Sequence, residues 1–266
     1  MDGMRLDKYL ADMGIGTRSE SKKYIKGGRV SVNDTVITDG AFHVSNEDVV
    51  AFDGEAISYE EHVYYLLNKP QGVISATKDN SKKTILDLIK PEDKRKELFP
   101  VGRLDKDTEG LLIITNDGAL AHQLLSPRHH VDKTYYAIVS GAMTDRDVEA
   151  FALGMEIDKG DVCLPAKLSI LSTTRFDNLS DDFSSKVHPK DTSLILPEAV
   201  VSEIEITICE GKYHQIKRMC LHLGHEVLFL KRCSMGPISL EEDLDLGLYR
   251  PLTKGEIKAL QDCSAK

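Results

Sequence analysis

The sequence is poor in cysteine. There are five, Cys163, Cys209, Cys220, Cys233 and Cys263, an odd number with no C-x-x-C pair. That argues against a disulfide framework and against a zinc ribbon, and it fits a reducing cytoplasm. No stretch approaches the ~20 apolar residues of a membrane helix. Met1–Arg5 offers no apolar h-region, so neither a membrane span nor a signal peptide is expected. No Gly-rich dinucleotide loop and no P-loop occurs, and no cofactor is expected. Cys220, His222 and His225 match no strong zinc spacing, so no metal is expected either. Positive charge is also short: 34 Lys and Arg face 43 Asp and Glu, for a net of -9. That argues against a protein that coats RNA along its whole surface, but leaves room for a local basic face.

What is present suffices for a sizeable core. Hydrophobic residues are 41% of 266, a length that suits one large or two unequal domains. Residues 5–42 read as a compact unit. Leu6, Tyr9, Leu10 and Met13 have helical spacing, and Gly14 and Gly16 end that helix. Thr17 with Glu20 reads as a capping box opening a second helix over 18–26. A short hairpin follows, Val30-Ser31-Val32, Asn33-Asp34, Thr35-Val36-Ile37. The second helix and its exit carry Arg18, Lys22, Lys23, Lys26 and Arg29 against one Glu20. Residues 44–62 reverse this, with six Asp and Glu and no Lys or Arg. The boundary is placed in 54–62, giving domains 1–60 and 61–266. Beyond it, strands are expected at 63–67, 72–76, 111–115, 135–139, 167–172 and 202–209, and helices at 84–89, 118–125, 144–153 and 213–223. These do not alternate regularly, so the fold class is α+β, with a mixed, mostly antiparallel sheet flanked by helices. Residues 173–200, rich in Ser, Asp, Thr and Pro, read as an extended hairpin or a disordered loop.

Three clusters carry candidate chemistry. Gly102-Arg103-Leu104-Asp105-Lys106-Asp107-Thr108-Glu109-Gly110 is a charged loop leading into an apolar strand. Loops held by rigid strands are where reactive groups sit, and an ionised Asp can act as nucleophile or base without activation. Read alone, the run leaves open whether Asp105 and Asp107 do chemistry or serve as turn residues and ion-pair partners. Arg128, His129, His130 and Lys133 form a basic cluster running into Tyr135, a combination suited to phosphates and a stacked base. Glu210-Gly211-Lys212-Tyr213-His214-Gln215-Ile216-Lys217-Arg218-Met219 opens an amphipathic helix whose apolar stripe is Ile216, Met219, Cys220 and Leu223. Lys212, His214, Gln215 and Arg218 are candidate RNA contacts there, and Lys217 can reach inward to a carboxylate.

Taken together, the motifs resemble a known family. Gly102-Arg103-Leu104-Asp105-x-x-Thr108-x-Gly110-Leu111 is similar to the signature of RNA pseudouridine synthases. With Asn68-Lys69-Pro70-Gln71-Gly72, Asn116-Asp117-Gly118, Lys133-Thr134-Tyr135 and the 210–219 run, the chain resembles the small-subunit (16S) rRNA branch. Residues 4–50 resemble the S4 RNA-binding domain. The resemblance implies isomerisation of uridine to pseudouridine in ribosomal RNA, on a uridine flipped out of the stack, without a cofactor. It implies Asp105 as nucleophile, Tyr135 stacked on the target uracil, a salt bridge from Lys217 to Asp105, and Arg103 holding the flipped nucleotide. Attack at the ribose C1′, attack at the uracil C6 and deprotonation at C2′ stay open. The expected partner is ribosomal RNA, free or in an assembling small-subunit particle, and the expected state is a cytoplasmic monomer. The alternatives are a non-catalytic assembly factor that binds RNA, a synthase for 23S rRNA, and a glycosidase-like hydrolase.

Overall fold

Residues Glu109–Thr115 form a strand in which every residue is buried. Successive strand side chains point to opposite faces. Leu112 and Ile114 therefore enter one core, while Leu111 and Ile113 enter another. Full burial of a Leu or Ile contributes roughly 1.5–3 kcal/mol, so this strand alone anchors both faces of the sheet around it. The structure, a computed structural model, describes residues 3–45, 47–95, 97–179 and 196–264.

The sheet is nine-stranded. Its main path runs Lys167–Arg175, Val200–Ile208, Lys133–Ser140, Val227–Met235, Glu109–Thr115, Tyr64–Lys69, Tyr249–Pro251. Every pairing in it is antiparallel except Val227–Met235 with Glu109–Thr115. At that parallel contact a Cβ on Gly110 would lie 2.2 Å from the Arg232 carbonyl oxygen, so only glycine lets the two backbones meet. One face is covered by the helices Asp145–Leu153 and Gln215–His222, through Phe151, Ile216, Met219 and Cys220. The other is covered by Gly118–Leu125 and Lys254–Ser264, through Leu120, Leu124 and Leu260. This is the α+β, mostly antiparallel arrangement expected. Among the described residues no helix is long and apolar enough to cross a membrane.

The N-terminal residues build a core of their own from Leu6, Leu10, Ile25, Val30 and Val50. Helices Leu6–Asp12 and Arg18–Lys26 pack on a four-stranded antiparallel sheet ordered Thr35–Val36, Val30–Val32, Val50–Phe52, Glu55–Ile57. The Thr17–Glu20 capping box is formed, and Asn33 and Asp34 both take positive φ (50° and 63°), as a two-residue hairpin turn requires. The last strand, Glu55–Ile57, falls inside the acidic stretch read as the boundary.

Asp7 is the buried charge of this unit. It takes hydrogen bonds from Arg5 and Arg18 and lies 3.8 Å from Lys22. The Arg5 bond, opposed by desolvation and helped by Arg18, holds its carboxyl at about 2. A carboxyl lowered on folding stabilises above its ordinary range and loses that contribution as pH falls through the folded value. Stability of the N-terminal unit should therefore decline as pH drops from about 4 toward about 2. Asp7→Asn should remove that decline and leave the unit less stable at neutral pH, as followed by denaturant titration across the acid range.

Several elements differ from expectation. Residues 72–76 are no strand. They form a turn carrying one bridge, Ile74 to Thr84, because Gly72 and Ser75 bond to the 104–106 loop instead of to a sheet neighbour. The 84–89 helix shrinks to one 3-10 turn, Ile85–Asp87, closed by Thr84 with Asp87 and cut short by Pro91. Strands Val227–Met235 and Tyr249–Pro251 and the hairpin Met155–Asp158 with Asp161–Cys163 were not anticipated. The arms of the 173–200 segment do pair as a hairpin, with Arg175 opposite Val200, and residues 180–195 lie outside the described residues.

Candidate active site

The loop before the Glu109–Thr115 strand is held from beneath by Lys69, at the end of the Tyr64–Lys69 strand. Lys69 is fully buried, and its Nζ donates to the carbonyls of Thr108 (2.9 Å), Asp105 (3.0 Å) and Pro70 (3.1 Å). Burial pulls its ammonium down to about 8, against the pull of nearby Asp107, Asp105 and Glu109. Ser75 Oγ donates to the Leu104 carbonyl at 2.8 Å and accepts from the Leu104 N–H at 3.0 Å. The Gly72 N–H donates to the Lys106 carbonyl. The loop backbone is thus tied at consecutive residues, and the Asp105 side chain is free to point the other way.

That side chain is about a third exposed at the mouth of a small cavity. Tyr135, Leu104, Ile208, Ile216 and Leu230 give the cavity apolar walls, and Arg103 and His214 stand at its rim. Lys217 Nζ lies 3.2 Å from Asp105 Oδ2, and His214 Nε2 lies 3.4 Å from Asp105 Oδ1. Lys217 is shared, because it also donates to Asp107 at 2.5 Å. Burial works to raise the Asp107 carboxyl, but the Lys217 hydrogen bond and charge outweigh it and leave it below the usual carboxylate range. Asp107 spends part of the lysine's charge, so the Lys217 contact runs to two carboxylates and not to Asp105 alone.

The remaining sequence candidates divide. Arg103 is exposed and lines the cavity. Lys133 does not face solvent: it is buried and donates to the Val131 carbonyl, because the start of its strand is covered on both sides. Lys212 and Arg218 are committed to an acidic hairpin, Lys212 to Asp161 at 2.7 Å, and Arg218 to Asp161 at 2.7 Å and to Asp158. Gln215 is buried, bonded to Glu210 and to the Lys212 N–H, and braces the turn from within. These three are fixtures of the loop in this structure, and Lys133 one of the sheet. Arg128 and His130 are exposed and His129 half-buried on the turn after the Gly118–Leu125 helix, outside the cavity lining. In the N-terminal unit Arg18 and Lys22 pair with Asp7 while staying largely exposed, and Lys23 and Lys26 are exposed. Arg29 pairs with Asp53 over the Tyr24 and Phe52 rings. Among the described residues no group of His, Cys, Asp and Glu could hold a metal ion. Cys220 is buried, and His225 bonds the Ser140 carbonyl.

The family model for RNA pseudouridylate synthase matches residues 63–222, which include Lys69, Arg103, Asp105, Tyr135, His214 and Lys217. The chain belongs to that family. It is an RNA pseudouridine synthase, and residues 4–50 match the S4 domain, so the N-terminal unit is an S4 domain. An RNA pseudouridine synthase of Bacillus subtilis, YtzG, is 42% identical over 98% of this chain and its own full length. Ribosomal small subunit pseudouridine synthase A of Escherichia coli is 34% identical over 97% of this chain and its own full length. Ribosomal large subunit pseudouridine synthase B of Bacillus subtilis is 36% identical, over 97% of this chain and 95% of its own. A crystal structure of a pseudouridylate synthase superposes with a TM-score of 0.61 at 33% identity, covering 97% of this chain and 99% of that one.

Sequence reading missed Lys69 in its motif, the second carboxylate on Lys217, and the approach of His214 to Asp105. A lysine at the end of an otherwise apolar strand was the available signal for the first. The other two depend on how the 210–217 turn folds back over the loop, which no local pattern reports.

Proposed function

We propose that this synthase isomerises a uridine of the small-subunit 16S ribosomal RNA, with Asp105 as its nucleophile. The observation that carries the reading is the Asp105 carboxylate at the mouth of an apolar cavity walled by Tyr135, with Lys217 Nζ 3.2 Å away. The reaction breaks N1–C1′, turns the base and joins C5 to C1′, with the proton lost from C5 balanced by one gained at N1. It is redox-neutral and takes no outside reactant. A uracil inside an RNA stack is out of reach of a carboxylate in such a cavity, so the target is flipped, at a cost of a few kcal/mol. Tyr135 offers its ring to the uracil and Arg103 its charge to the backbone of the extruded nucleotide, and both offset that cost. Lys217 sets a positive charge 3.2 Å from the Asp105 carboxylate, an attraction that strengthens as the base closes the cavity and excludes water.

The chain divides at about residue 60 into an RNA-holding part and a catalytic part. The S4 domain binds phosphates through the exposed cations of its second helix, and 61–266 selects and converts the base. The protein works as a cytoplasmic monomer on free or assembling ribosomal RNA. End-to-end similarity to a small-subunit synthase supports the 16S assignment, and similarity to a large-subunit synthase favours a 23S target as the second reading. Chemical mapping of pseudouridine in rRNA from cells with and without the gene separates them. A single 16S site should lose its mark. A lost 23S mark transfers the assignment to the large subunit, and an unchanged map leaves an RNA-binding assembly factor.

A further inference from the structure

We propose that Tyr213 and His214 form a nucleobase platform, which takes the base next to the flipped uridine in the RNA chain. Tyr213 is 72% exposed, and its hydroxyl bonds to no described residue. An exposed ring alone means little. This one is part of a built arrangement that leads to the reacting centre.

The Tyr213 and His214 rings stack with centroids 3.8 Å apart and planes 17° from parallel. His214 in turn lies 3.4 Å from the Asp105 carboxylate. Asp105, His214 and Tyr213 therefore form a ladder from the cavity outward, ending in an open aromatic face. Holding it has a cost, since His214 takes φ 49° and ψ 33°, a left-handed conformation unusual for a residue with a side chain. The surroundings offset that cost. Arg218 Nη1 donates to the Tyr213 carbonyl at 3.1 Å and is itself tied to Asp158 and Asp161. The Lys212 N–H donates to Gln215 Oε1 at 3.0 Å. Side chains expected to contact RNA, Gln215 and Arg218, thus hold an aromatic pair in place.

The chemistry of flipping supplies the occupant. Extruding a uridine strips one stacking partner from each of its neighbours. A preorganised ring at the rim replaces that partner, and it accepts any base because every base has a π-face. This inference rests on Asp105 being the reacting centre for an RNA uridine.

The test measures affinity of the full-length protein, in an Asp105→Asn background, for an rRNA fragment carrying the target uridine. Tyr213→Ala should weaken binding about tenfold, within the range for one base–aromatic stack. Tyr213→Leu, which keeps bulk without the ring, should match Ala, and Tyr213→Phe should restore binding. An abasic nucleotide beside the target should weaken the Tyr213 protein to the same degree and add nothing to the Tyr213→Ala protein. Affinity of Tyr213→Ala within twofold of Tyr213, or abasic and Ala penalties that add, overturns the platform. Uridine conversion by the Asp105→Asn background would instead overturn the assignment of the reacting centre, a separate readout that leaves the binding comparison standing.

Discussion

Asp105→Asn should lower pseudouridine formation by on the order of 10⁴-fold or more, the scale seen when a nucleophile is removed. RNA binding should stay near its normal strength. Asn matches Asp in size, so the apolar cavity around Tyr135 keeps its shape. The change removes one negative charge from a surface that meets polyanionic RNA, which favours binding if anything. Lys217 does not become a stranded buried cation, because Asp107 accepts its hydrogen bond at 2.5 Å. The fold should therefore survive. All three modes of action, attack at C1′, attack at C6 and deprotonation at C2′, need an ionised carboxylate, so the amide disables each of them. The measurement is single-turnover conversion of an rRNA transcript at enzyme excess, with affinity measured in parallel. Conversion within tenfold of the unchanged protein would remove Asp105 from the chemistry and return it to the role of a turn residue.

How far this site could be read before folding depends on what kind of signal each residue leaves. The Arg18–Lys26 helix was legible because its capping box, Thr17 with Glu20, and its stop at Gly27 are each local signals, ten positions apart from cap to cap. The stripe of Ile216, Met219 and Cys220 was legible because helical periodicity is local. The apolar Glu109–Thr115 strand announced its burial on both faces. Val227–Met235 did not, since its apolar start runs into Lys231 and Arg232, and a buried arginine at the centre of a sheet breaks the pattern a strand usually shows. The roles of the basic residues were the least legible. Lys133, Lys212 and Arg218 have the composition of a phosphate-binding face, and composition cannot show that Val131, Asp161 and Asp158 already occupy them. Ion pairs between segments about 50 to 60 residues apart are properties of the folded chain.

The Lys69 cage leads to the largest expected effect on stability. Lys69→Met keeps the length and the apolar stem of the side chain but removes every donor. The carbonyls of Pro70, Asp105 and Thr108 then lose the proton donor that Lys69 supplies in a buried position. The Asp105 carbonyl keeps the Thr108 N–H, whereas those of Pro70 and Thr108 lose the Lys69 donor. Each unsatisfied buried acceptor costs about 1–3 kcal/mol, and part of that is recovered if the loop shifts to reach water. The burial cost of the ammonium is removed along with it, so a net loss of about 2–3 kcal/mol is expected, still a large share of the stability of an ordinary domain. The shift is also what would harm activity, since the atoms that move are the backbone of Asp105 itself. The pH dependence identifies the cause. The folded Lys69 ammonium lies at about 8 against 10.5 for a free lysine. Below about 8 both folded and unfolded chains hold the proton, and the burial cost is constant. Between about 8 and 10.5 the unfolded chain binds more protons than the folded one, so this group makes stability rise with pH. Lys69→Met should lack that rise. Subtracting its denaturant midpoints from those of the unchanged protein across this range cancels the other lysines, including buried Lys133. A variant within about 1 kcal/mol of the unchanged protein, or a difference curve flat with pH, would mean that water already serves these carbonyls and that Lys69 does not hold the loop.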